Sequence, residues 1–344
     1  MTPRTIDEDN LNDASTPEHP LKTHIAPITI IDFDKLCNPP INKYDNFTYA
    51  TKAERPYKAM LFGVVKEDPS IIKRHLTTLP LFVSNVKLID NAGGKGENSV
   101  LLMPGAVGSS WTDFKPQIEQ LPELLPNYTV IAWDPPGYGK SIPPKRSFDL
   151  DFFQNDAHQA VQLMKTLNRP KFSILGWSDG GVTALIIAGR YPENVDKLVI
   201  WGANAYVSDE DANIVKGVRD VKKWSPRMRE PMEKVYGAER FAEIWNEWVD
   251  AILNIYEKRK GDLCMKEIRQ IRAKTFILHG KKDPMLAKEH VPYLKQHLQG
   301  FKYHEFPDGK HNIHLRYAEE YNKLIANFLL EKSCLWVICD NMEQ

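Results

Sequence analysis

Little in this chain points to covalent bracing, to a membrane or to a polyanion. Only four cysteines occur in 344 residues, Cys37, Cys264, Cys334 and Cys339, and none forms a C-x-x-C pair. That scatter excludes a disulfide framework or a cysteine-built metal site and fits a reducing compartment. An excess of one charge is missing too: 45 Lys and Arg stand against 45 Asp and Glu. Such balance argues against a nucleic-acid partner. No apolar run approaches the ~18 residues that a membrane span needs. Residues 1–20 do not read as a secretory signal. Their single basic residue, Arg4, among Asp7, Glu8, Asp9, Asp13 and Glu18 is wrong for an Arg-rich presequence. Asn341 stands where a prenylation box would need cysteine. The expectation is a monomer in the cytoplasm, with a mitochondrial location as the alternative.

What is present is a long α/β rhythm. Residues 1–26 are polar, contain proline and are expected to be disordered. Residues 27–82 are an N-terminal extension of mixed apolar patches and prolines, to which no structure is assigned. From about Val83 the pattern becomes regular. Val86, Leu88 and the glycines at 93, 94 and 96 suggest a hairpin. Strands are predicted over 99–103, 128–133, 197–201, 274–279 and 301–306. Helices are predicted over 114–121, 152–167, 287–298 and 315–330. Apolar residues at 153, 157, 160, 161, 164 and 167 share one helical stripe. Strands alternating with helices imply a mostly parallel sheet covered on both faces. The rhythm breaks over 203–262, a charged, Trp-containing, helical stretch that reads as an inserted cap. The catalytic domain is therefore expected over 83–331, with a tail at 332–344.

The chemistry centres on Gly176-Trp177-Ser178-Asp179-Gly180, a G-x-S-x-G pattern. A short apolar run precedes it and an Ala/Leu/Ile-rich helical run follows. On a tight strand-to-helix turn a serine is pushed toward substrate, and glycines keep the turn clear of side chains. A serine hydroxyl needs a base, and the base needs a group to hold it. In an open α/β sheet those groups sit past the carboxyl ends of strands. The strand at 274–279 runs into Asp283, and that at 301–306 runs into His311. Asp308 and Asp179 are rival acids, and His314 is the rival base. The pair His311 and His314 lacks the pattern of a H-E-x-x-H zinc site, so no metal is expected. Asp134 occupies the first glycine position of what would be a phosphate loop at 137–141, which excludes that reading. An oxyanion would require two backbone donors. The amide of Asp179 is one; the loop after the strand at 99–103 supplies the other, from Ala106 or alternatively Val107. The Asp179 side chain has two readings on spacing alone, as a helix cap facing solvent or as a substrate contact.

The order Ser178, Asp283, His311 matches that of an α/β-hydrolase. More narrowly, residues 83–331 resemble the biphenyl-hydrolase-like (valacyclovirase-like) serine hydrolases. The segments that carry the resemblance are LLMPGAVGS (101–109), VIAWDPPGYGKS (130–141), LGWSDGG (175–181), VIWGANAYVSDEDA (199–212), ILHGKKDP (277–284) and PDGKHNIHLRYAEEYNKL (307–324). The resemblance implies Ser178 as nucleophile, Asp283 as acid and His311 as base, with no cofactor. It also implies that the Asp179 carboxylate receives the α-ammonium group of an aminoacyl substrate. The expected activity is hydrolysis of small α-amino-acid esters, or of activated acyl compounds such as thiolactones. A generic carboxylesterase, a carbon–carbon bond hydrolase and a non-catalytic binding protein are the alternatives. Trp224, Trp245 and Trp248 in the insertion read as core, with some available to line a leaving-group pocket.

Overall fold

The computed structural model describes residues 86–89 and 96–331. The expectations for residues 1–82 and 332–344 lie outside them. Seven strands form one sheet: β1 (Val86–Ile89), β2 (Asn98–Met103), β3 (Tyr128–Trp133), β4 (Phe172–Trp177), β5 (Val195–Trp201), β6 (Lys274–Gly280) and β7 (Phe301–Phe306). Their spatial order is β1-β3-β2-β4-β5-β6-β7. Every pairing is parallel except β1 with β3. The expected hairpin at 86–96 is not what forms. β1 pairs with β3, because both edges of β2 are already taken by β3 and β4.

The central strands are continuous apolar runs because both sheet faces are covered. On β2, Leu101 and Met103 enter one core and Val100 and Leu102 the other, following the two-residue alternation of a strand. One face is covered by α2 (Phe152–Thr166) and α3 (Asp179–Arg190), the other by α1 (Ser110–Leu124) and α10 (Ala318–Leu330). Helix α3 is buried from Gly180 to Gly189, which accounts for its apolar composition all round. Four helices leave the end of β5 and return at β6: α4 (Asp209–Gly217), α5 (Pro226–Tyr236), α6 (Ala238–Arg259) and α7 (Met265–Ile268). Helix α8 (His290–His297) and the short α9 (Ile313–Arg316) complete the fold.

Three helices differ from their sequence-based bounds by more than one residue, among them α8, which starts at His290 and not at 287. Helix α1 begins four residues before the predicted 114, because Ser109 caps it in a capping box closed by Thr112 rather than glutamate. Phe114 is non-helical inside it, at φ −124°, so the helix bends where the apolar pattern first becomes visible. The predicted last helix is two, α9 and α10, broken at Tyr317.

Candidate active site

Chain order and sheet order together gather the candidate residues at the carboxyl ends of adjacent strands. Ser178 follows β4, the loop at 104–108 from which a second oxyanion donor is expected follows β2, Gly202 follows β5, Asp283 follows β6 and His311 follows β7. The chain runs from β2 outward to β3 and then back to β4 on the other side, so the serine sits at the point where strand order reverses.

Ser178 adopts φ +55°, ψ −123°, a region that side-chain-bearing residues rarely occupy. The neighbouring glycines show why the turn is so tight. A Cβ on Gly180 would lie 2.0 Å from the Met103 carbonyl oxygen, and one on Gly176 would lie 2.6 Å from that of Gly180. The Ser178 amide donates to the Trp201 carbonyl at 3.0 Å, which fixes the turn to the end of β5.

Asp283 Oδ2 accepts from His311 Nδ1 at 2.8 Å, and its Oδ1 accepts from the Met285 amide at 2.8 Å. The Asp283 side chain is 2% exposed and that of His311 18%. An imidazole held through Nδ1 presents Nε2 as its proton acceptor. The ring is bounded on two sides, by Gly202 after β5 and by Trp177 of the elbow. A Cβ on Gly202 would come within 2.7 Å of His311 Cε1, so only glycine fits beside the ring. Trp177 donates its indole N–H to the His311 carbonyl at 3.0 Å and stacks obliquely on the imidazole, centroids 5.4 Å apart. The rival residues lie elsewhere. Asp308 is an exposed partner of Lys282 at 2.6 Å. His314 is fully buried behind the site, accepting from the Trp201 indole at 2.9 Å on Nδ1 and donating from Nε2 to the Asp113 carbonyl at 2.8 Å.

Burial pushes the His314 pKa down to about 3, so the ring is neutral with its proton on Nε2. The unfolded chain takes up that proton near pH 6.5, whereas the native state refuses it until about pH 3. The contribution of His314 to stability is therefore complete above pH 6.5 and is lost as the pH falls toward 3. The stability advantage of the native chain over His314→Gln should shrink by about 2 kcal/mol between pH 7 and pH 5. Urea unfolding of both proteins at the two pH values checks this; a constant difference would refute the neutral buried ring.

The loop at 104–108 is held from beneath by Asp113. Its Oδ2 accepts from the Gly105 amide at 2.9 Å, and its Oδ1 accepts from the Thr112 hydroxyl at 2.7 Å. Burial pushes this carboxyl up to about 7. Within residues 101–110 Ala106 alone is more than slightly exposed, whereas Val107 is fully buried at φ +58°.

Asp179 faces a small cavity that Gly105, Tyr138, Arg146 and Asp156 also line. The indole N–H of Trp248, on α6, donates to Asp179 Oδ2 at 2.6 Å. Burial raises the Asp179 pKa to about 7, against the lowering effects of the Trp248 hydrogen bond and the Arg146 charge. Behind it Arg146 and Asp156 form a buried bidentate pair at 2.7 and 2.6 Å, with Arg146 stacked 4.3 Å from the Tyr138 ring. Sequence reasoning considered Trp248 among the insertion's aromatic residues but gave it no partner. It gave no role to Trp177, the variable position of the G-x-S-x-G pattern, and missed Asp113, Gly202 and the Arg146–Asp156 pair, which lie outside that pattern.

The description "alpha/beta hydrolase fold" matches residues 98–238. The human protein named serine hydrolase BPHL is 48% identical over 254 residues, 74% of this chain and 87% of that protein. The chain belongs to the α/β-hydrolase family. The mouse serine hydrolase BPHL is 46% identical over 274 residues, 80% of this chain and 94% of its own. Among solved structures, a 2-hydroxy-6-oxo-6-phenylhexa-2,4-dienoate hydrolase from Rhodococcus superposes with a TM-score of 0.57 at 20% identity. It covers 72% of this chain and 94% of its own. That last likeness concerns the fold alone. The fold is that of the family, and the protein is a serine hydrolase.

Proposed function

We propose that this hydrolase cleaves small α-amino-acid esters, or related activated acyl compounds such as thiolactones, through an acyl-enzyme on Ser178. The observation that carries the reading is a half-buried carboxylate, Asp179, which lines a cavity one residue beyond the elbow serine. Asp179, Asp156 and Arg146 sum to one net negative charge when all are ionised (−1 −1 +1). An ammonium about 4 Å from a partly shielded carboxylate gains ~4 kcal/mol at an effective dielectric of 20.

In this mechanism His311, oriented by Asp283, takes the Ser178 proton as the oxygen attacks the ester carbonyl. The tetrahedral oxyanion is held by the amides of Asp179 and Ala106. Support for Ala106 over Val107 is its partial exposure, while Val107 is buried. The helix of which Asp179 is the first residue adds a favourable dipole for that negative charge. Protonated His311 gives its proton to the leaving alcohol. Water, activated by the same ring, then releases the acid. No cofactor enters any step. The helical insertion serves as a cap that sets leaving-group tolerance. Among the described residues no helix is long and apolar enough to cross a membrane; a monomer in the cytoplasm is the reading that composition supports.

A panel of paired esters, with and without the α-amino group, tests the proposal. The purified chain should hydrolyse the amino members at least 100-fold faster in kcat/KM. Equal rates would make it a general carboxylesterase. Cleavage restricted to vinylogous diketones would make it a carbon–carbon hydrolase. No turnover together with no fluorophosphonate labelling would leave a binding protein.

A further inference from the structure

The oxyanion loop has a third support, and it comes from the insertion. Beneath the loop, the amides of Gly105 and Ser110 donate to Asp113 Oδ2 at 2.9 Å and Asp134 Oδ1 at 2.7 Å. Above it stands Tyr236, the last residue of α5. Its hydroxyl donates to the Val107 carbonyl at 2.9 Å and accepts from the Gly139 amide at 2.8 Å. One phenol oxygen thus joins the oxyanion loop to the loop after β3. Helix α5 has no fully buried residue, so this contact is an inward anchor for an otherwise superficial element.

The residue it grips is the strained one. Val107 sits at φ +58° in a turn that the Gly108 amide closes on the Gly105 carbonyl at 3.1 Å. Turns of this kind take glycine or asparagine at the left-handed position, and a β-branched side chain there is an outlier. Such conformations persist where the surroundings over-determine them, and they cluster at functional sites. The Ala106 amide, the oxyanion donor in the proposed mechanism, lies in the Gly105–Ala106 peptide, which is joined through the Ala106 Cα to the peptide plane that precedes Val107. If φ at 107 relaxed to negative values, the planes on both sides of that residue would turn.

We propose that Tyr236 is a positioning residue that keeps the oxyanion loop aimed by restraining Val107, so that the insertion takes part in the chemical step as well as in binding. The inference rests on the serine-esterase reading and on the 104–108 loop as an oxyanion donor. It requires Tyr236 to act on the tetrahedral state more than on the bound ester.

The test is Tyr236→Phe, assayed on an ester that the unmodified protein turns over. The expected result is a kcat about 10-fold lower, bounded by the ~10²–10³ that losing a whole donor costs, with KM within twofold. The affinity for phenylboronic acid, which forms a tetrahedral anion on the serine, should fall by the same factor as kcat. The decisive comparison is made with glycine at 107. Glycine holds a positive φ unaided, so within the Val107→Gly background the further change Tyr236→Phe should cost less than threefold. An unchanged kcat and boronate affinity overturn the proposal. So does an equal loss in the valine and glycine backgrounds, or a loss that appears in KM alone. Should glycine at 107 unfold the chain, the comparison of kcat and boronate affinity with KM on Tyr236→Phe decides by itself. If the unmodified protein hydrolyses no ester, the underlying reading fails and this one with it. If it does and Tyr236→Phe is unimpaired, the positioning role alone is lost.

Discussion

Replacing Ser178 with alanine should lower kcat/KM for ester hydrolysis by about 10⁴–10⁶-fold while leaving the fold intact. That factor is the usual cost of removing the nucleophile of a group that works as a unit, and it corresponds to ~5–8 kcal/mol of barrier. The fold should survive because the hydroxyl makes no capping bond and the elbow is held by backbone contacts, the Ser178 amide to Trp201 and Gly180 against Met103. The His311–Asp283 pair is independent of the serine oxygen and should persist. The measurements are initial rates beside a urea titration. An alanine variant with more than a hundredth of the original rate, folded and free of contaminating esterase, would remove Ser178 from the mechanism.

The second large effect concerns selectivity. Asp179→Asn keeps the shape of the side chain and an oxygen for the Trp248 indole, but removes the charge. The expected loss in kcat/KM is about 10²–10³-fold for α-amino esters, in line with ~3–4 kcal/mol for a shielded ion pair. For des-amino esters it should stay within about threefold, since the backbone amide is unchanged. Equal losses on both classes would mean that residue 179 shapes the oxyanion site and does not recognise an ammonium. The pH dependence supplies an independent check. Because burial raises the Asp179 pKa to about 7, the free enzyme carries the protonated, uncharged form below that value. Taking the ratio of kcat/KM for the amino ester over its des-amino partner cancels the pH effects on the chemical step that both esters share. That ratio should rise as pH increases through about 7, then fall as the substrate's own ammonium deprotonates near ~8. A ratio flat from pH 5.5 to 8.5 would contradict the role.

The residues that carry the proposed chemistry were legible because each stands at a strand end inside a recognisable local pattern. Ser178 lies between crowded glycines, Asp283 precedes a proline, and His311 closes the loop after β7. The sheet was legible for a similar reason, since apolar runs such as 99–103 and 128–133 need only local reading. What stayed hidden depends on distant pairing. Nothing near 177 announces that its indole will hold a carbonyl 134 residues later. The same is true of Trp248 and Asp179, 69 residues apart, and of Tyr236 and Val107, 129 apart. The assignment of β1 to a hairpin failed on the same ground, because its partner β3 was chosen by which sheet edges remained open. Prolines 116 and 122 and the bend at Phe114 disguised α1, whose pattern is that of two short helices run together.

The helical insertion departs from the end of β5 and re-enters at β6, and these two strands are direct neighbours in register, Trp201 opposite Leu278. Geometrically it is a detachable cassette, one that could be exchanged between hydrolases without disturbing the sheet. Chemically it is not detachable. Two of its side chains reach across the seam, Trp248 to the carboxylate beside Ser178 and Tyr236 to the loop at 104–108. A graft that imported a new leaving-group pocket without an indole and a phenol at those places would inherit a sound scaffold with a detuned centre. In a lineage built this way, substrate range and turnover drift together, because the part that samples new substrates also grips the catalytic frame.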